Sequence, residues 1–134
     1  MQTVIICNGA MQRRFMIPYC MIQASEKLKT NIKPNQREPY VFTDVTADVF
    51  DAFNNLFSEY YNNTLDSTID IKCLVEKIPI TYPKLIKEIM IFVKNYEFNE
   101  IFYHYKTLMH NIVNGDNKNI SLVKIIQEAS TGLN

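Results

Sequence analysis

Glycine is scarce in this chain, with three in 134 residues. A phosphate-cradling loop needs several glycines and a lysine at fixed spacing, so the lone Asn8-Gly9 reads as a tight turn and not as a nucleotide site. Cysteine is nearly as rare. Cys7, Cys20 and Cys73 are odd in number and widely spaced, which argues against a disulfide framework and for a reducing compartment. There is no surplus of charge of either sign: 14 Lys and Arg face 14 Asp and Glu. A nucleic-acid binder carries a basic excess that displaces counterions from phosphates, so no nucleic-acid partner is expected. Lys27, Lys29, Lys33 and Arg37 form a mild basic stretch that reads as a solvated helix face. No apolar run approaches the roughly 20 residues that span a bilayer, and Met1 to Cys7 lacks the charged start and long apolar segment of a secretory leader. Neither membrane insertion nor export is expected.

The residues that carry catalysis are also sparse. His104 and His110 are the only histidines. Six positions apart on a helix they point about 240° apart, and neither has a cysteine or carboxylate at ligand spacing, so no metal is expected. Without a positioned histidine, the serines and cysteines lack the base that a nucleophile requires. Asp44, Glu76, Glu97 and Glu100 form no defined acid–base pair. An enzyme is therefore the least expected class, and no cofactor is implied.

What is present is a globular profile: 47% hydrophobic and 21% charged residues, enough to build one core in a chain of this length. Thr3 to Cys7 is apolar and β-branched, Asn8-Gly9 supplies a hairpin turn, and a second strand over about Arg13 to Ile17 places Phe15 and Ile17 on one face, Arg14 and Met16 on the other. Pro18 stops it. A short helical turn near Cys20 to Ala24 leads to a helix capped by Ser25, with Leu28 and Ile32 on one face. Residues 33–39 read as a loop and Tyr40 to Thr43 as a short strand. Asp44 or Thr46 caps a helix with the stripe Val49, Phe50, Phe53, Leu56, Phe57 and Tyr60, broken at Asn62 to Ser67. A weaker helix, Ile69 to Ile78, is closed by Pro79. Thr81-Tyr82-Pro83 opens another, with Leu85, Ile86, Ile89, Phe92, Val93 and Tyr96 as its stripe. A helix from about Asn99 to Val113 ends at Gly115, and a last short one covers about Ser121 to Ala129. This order, strands first and helices after, predicts an α+β fold with a three-stranded sheet.

The order and the residues resemble the Skp and Elongin-C branch of the POZ (BTB) superfamily. Phe15, Ile17, Ser25, Lys29 and Thr30 stand where that family carries like residues. The run from Tyr40 through Val-Phe-Thr-Asp-Val-Thr-Ala-Asp-Val-Phe is similar to the family's third strand and following helix. The pair Asn95-Tyr96 is the most specific match. The resemblance implies a POZ core over residues 1–97 and a Skp-like helical extension over residues 98–134, packed as a single compact unit. It implies a non-enzymatic adaptor that joins a cullin to an F-box protein in a ubiquitin ligase, in the cytoplasm and nucleus. Asn95 and Tyr96 would face the cullin. Phe102, Tyr105, Met109, Ile112, Ile125 and Ile126 would form the F-box groove. The chain differs from the family in its short loop at Asn62 to Ser67, in lacking tryptophan, and in carrying Asp116 to Asn119 where a proline is usual. It also ends about one helix earlier.

From the residues alone, Tyr96 equally continues the apolar stripe of its own helix, and the stripe from Phe102 to Ile126 equally reads as core. Within the same architecture the alternatives are an Elongin-C-like adaptor for a shorter receptor box, a decoy that occupies a cullin, and a POZ module that pairs with a second copy of itself.

Overall fold

The computed structural model describes residues 1–9, 11–60 and 67–114, the backbone alone for 67–70 and 111–114. Expectations for Asn62 to Asp66, Gly115 and the last helix lie outside these residues. Three strands and six helices follow in the order β1 (Gln2–Asn8), β2 (Met11–Ile17), α1 (Tyr19–Ala24), α2 (Glu26–Asn31), β3 (Tyr40–Phe42), α3 (Ala47–Tyr60), α4 (Ser67–Thr81), α5 (Ile86–Asn95) and α6 (Asn99–Asn114). The fold is α+β with a small three-stranded sheet.

The sheet order is β2-β1-β3. β1 and β2 pair antiparallel from Gln2 opposite Ile17 to Asn8 opposite Met11, and Gly9 takes the left-handed φ of +69° that the turn demands. β3 runs parallel to β1, with Ile5 opposite Val41. Parallel neighbours need a long crossover, and α1, α2 and the loop to Tyr40 supply it. Alternation along β1 buries Gln2, Val4 and Ile6 toward the helices; Gln2 is satisfied by the carbonyls of Thr3 and Glu38. On the other face Thr3, Ile5 and Cys7 are half-buried.

Both caps expected from the sequence form. Ser25 Oγ accepts from the Leu28 N–H at 3.0 Å, and Thr46 Oγ1 accepts from the Val49 N–H at 3.3 Å. Val49, Phe50, Phe53, Leu56 and Phe57 are all buried on α3. The three phenylalanine rings join a cluster with Phe92 at its centre. That ring lies 5.9 Å from Phe42, 5.9 Å from Phe50, 5.4 Å from Phe53, 4.8 Å from Tyr96 and 5.8 Å from Phe98. β3, α3 and the α5–α6 corner are thereby tied to one side chain.

Two boundaries differ from the sequence reading, both at prolines. Pro79 does not close α4; it is buried inside it, and the helix runs on to Thr81. Pro79 withholds one N–H from the ladder, but the next turn is restored by the Tyr82 N–H on the Ile78 carbonyl at 2.9 Å. Pro83 does not open α5. It sits second in a turn closed by the Leu85 N–H on the Tyr82 carbonyl at 3.0 Å, a position its fixed φ suits, and α5 begins three residues later at Ile86.

α5 ends in a Schellman arrangement. The Phe98 N–H bonds the Val93 carbonyl at 3.0 Å and the Glu97 N–H bonds the Lys94 carbonyl at 3.2 Å. The left-handed residue this motif requires is Glu97, at φ +57°, where glycine is usual because a Cβ is disfavoured there. Glu97→Gly is expected to stabilise the protein by about 0.5–1 kcal/mol, read as a higher urea midpoint at unchanged m-value. A lower midpoint would show that the glutamate side chain supports the corner.

Candidate protein-binding surface

The end of α5 is held by the start of α2. Ser25 is fully buried; its hydroxyl donates to the Tyr96 carbonyl while accepting from the Leu28 N–H. The next residue donates as well, Glu26 N–H to the Glu97 carbonyl at 3.2 Å. Carbonyls left over at the end of α5 therefore meet the capping hydroxyl and one free N–H at the start of α2. Tyr96 sits in this junction. Its ring packs on Phe42 at 5.0 Å and Phe92 at 4.8 Å, with the Lys27 ammonium 4.6 Å from its centre. Its hydroxyl donates to Asp44 Oδ1 at 2.6 Å. Burial, then the adjacent Asp44 carboxylate, hold the Tyr96 phenol far above the ordinary tyrosine range, so it remains a neutral donor. Burial and the same carboxylate push Tyr40 upward too.

Above this junction lies a groove of about 140 Å³ between the β3–α3 connection and α5, with Phe92 and Tyr96 in its lining. One wall carries Asp44 and Thr46, the other Glu88, Ile91 and Asn95. Glu88, Ile91 and Asn95 recur at three- and four-residue spacing, so they share one face of α5. Ile91 is 38% exposed there. The groove thus offers an apolar centre with two acidic groups beside it, a surface that suits an apolar side chain flanked by basic ones.

The structure separates the two residues expected to face a cullin. Asn95 is exposed at the last position of α5. Tyr96 is 4% exposed, so Asn95 is presented to solvent and Tyr96 only lines the groove. Sequence reasoning missed Ile91, although its position outside the apolar stripe of α5 was a usable signal.

The expected F-box residues also divide. Tyr105 is 1% exposed and, with Ile101, seats α6 on the protein's own core. Phe102 and Met109 are half-buried, and the Lys106 ammonium lies 4.9 Å from the Phe102 ring centre. Ile112 belongs to α6 by its backbone, with its side chain outside the described residues, as are Ile125 and Ile126. α6 therefore leaves one edge, Phe102 and Met109, partly uncovered.

Among the described residues no three His, Cys, Asp or Glu side chains gather as metal ligands, and no helix is long and apolar enough to cross a membrane. No disulfide joins the three cysteines. Burial pushes the Cys20 thiol upward, which disfavours the reactive thiolate. No protein-family model matches the chain, no curated protein matches it, and no solved structure matches it.

Proposed function

We propose that this chain is a POZ-type adaptor of the Skp kind, which bridges a cullin and an F-box protein without performing bond chemistry. The observation that carries the reading is the topology: an antiparallel hairpin, a helical crossover, a third strand parallel to the first, and only helices after it. The groove at the end of α5 adds a surface where Asn95 and Ile91 stand together. In this role the adaptor fixes a substrate receptor near a catalytic module and raises the effective concentration of one at the other. The test is capture of a cullin amino-terminal region by the purified chain. Asn95→Lys with Ile91→Lys is expected to weaken capture at least about tenfold while leaving the unfolding midpoint unchanged, since both side chains reach solvent. Undiminished capture places the cullin contact elsewhere.

The inward packing of Tyr105 favours a second reading, an Elongin-C-like adaptor for a shorter receptor box. With Tyr105 committed to the core, the face of α6 left for a receptor is narrower than the groove expected from the sequence. Removing residues 115–134 separates the two: an F-box adaptor loses its receptor, and a short-box adaptor keeps it.

A further inference from the structure

β2 is an edge of the sheet with nothing beyond it among the described residues. Four consecutive residues, Met11 to Arg14, are exposed, and so is Met16. The two-residue connection after Asn8 makes Asn8 and Met11 a hydrogen-bonded pair. Alternation then turns the backbone groups of Gln12, Arg14 and Met16 away from β1. The Met16 carbonyl is taken by Asn54 Nδ2 of α3 at 3.4 Å, so the open stretch of the edge is Gln12 to Arg14.

Its charge is of one sign. Arg13 and Arg14 are adjacent, so they project to opposite faces of the sheet. Neither Arg13 nor Arg14 forms an ion pair among the described residues; the Arg13 guanidinium lies over the Phe15 ring at 5.0 Å. On the helix side, Met11 and Arg13 line a hollow of about 320 Å³ with Thr46, Ala47 and Asp48 at the start of α3. Asp48 is the acidic group facing Arg13 there; the N-terminal dipole of α3 opposes it and favours an incoming anion. A second copy of β2 laid antiparallel on the first would set arginine near arginine, which disfavours self-pairing.

We infer that the β2 edge takes up an extended segment of a partner protein as a fourth strand, a segment carrying two consecutive acidic residues. One carboxylate enters the hollow beside Arg13 and the next meets Arg14 on the opposite face, while main-chain hydrogen bonds to the edge supply sequence-independent affinity. This surface adjoins the groove at the end of α5 at Thr46, which lines both, and it does not depend on the adaptor reading.

The test uses the full chain, labelled for amide NMR, and a short capped peptide with two central glutamates among threonine and valine. Expected are shifts at the Gln12 and Arg14 amides, slowed exchange there, and loss of both with a peptide N-methylated at alternate positions. Arg13→Glu with Arg14→Glu is expected to weaken binding about tenfold, with the remaining amide spectrum unchanged. Equal binding of the N-methylated peptide would reduce the contact to charge attraction and overturn strand addition. Shifts confined to other elements, self-association through β2, or binding to anionic vesicles with none to the peptide would overturn it equally.

Discussion

Replacing Phe92 by alanine is expected to destabilise the protein by about 3–5 kcal/mol, the range for emptying a buried phenylalanine site. The upper part of that range applies because the ring packs against five others from three segments of chain. A relaxing neighbour on one side opens a gap on another, so the cavity closes poorly. A domain of this kind has a stability of about 5–15 kcal/mol in total, and such a loss shows as a large fall in the urea midpoint. Phe92→Leu retains most of the volume and is expected to cost about 1–2 kcal/mol. A cost below that level for the alanine variant would mean that the cluster repacks, and that β3, α3 and the α5–α6 corner are not tied through this ring.

The second large effect is expected at Ser25. Ser25→Ala removes a helix cap, worth about 0.5–2 kcal/mol, and leaves the Tyr96 carbonyl without its buried donor, worth about 1–3 kcal/mol more. The sum is about 1.5–5 kcal/mol. Thr46→Ala is the internal comparison. Thr46 is exposed, and its cap bond is the longer one at 3.3 Å, so the same truncation there is expected to cost no more than about 1 kcal/mol. Equal costs at the two sites in chemical unfolding would mean that the contact between α2 and the end of α5 adds nothing beyond capping. The difference bears on the proposed cullin contact, because Ser25 bonds the carbonyl of Tyr96, the residue after Asn95.

The parts of the fold that sequence made legible are those fixed locally. Gly9 encodes the turn, although Asn8, expected to share it, ends β1 opposite Met11 without a positive φ; Ser25 and Thr46 encode their caps, and the stripe from Val49 to Phe57 its buried face. Those signals reside in residues that touch one another along the chain. The prolines misled because their effect depends on neighbours far away: Pro79 is held in α4 by burial of its ring, and Pro83 serves a turn that resembles a helix start. The end of α5 was illegible for a related reason. A glutamate, not a glycine, takes the left-handed position, so no residue type announced the Schellman turn. At the candidate site, Asn95 was singled out by the family resemblance and not by helix phase, and the structure leaves it exposed. Tyr96 was ambiguous because phase aligned it with Phe92, and only the tertiary partners Phe42, Asp44 and Lys27 decide that its ring packs inward. Tyr105 followed the same logic: its stripe fitted a core and a groove alike, and contact with the rest of the molecule settled it.

The bridging role is tested most directly by mixing equimolar chain, a cullin amino-terminal region and an F-box segment, then weighing the products by light scattering on a sizing column. The adaptor account predicts one species holding a single copy of each, split into chain with F-box when Asn95→Lys and Ile91→Lys are introduced. A homodimer of the chain that excludes both partners would contradict it.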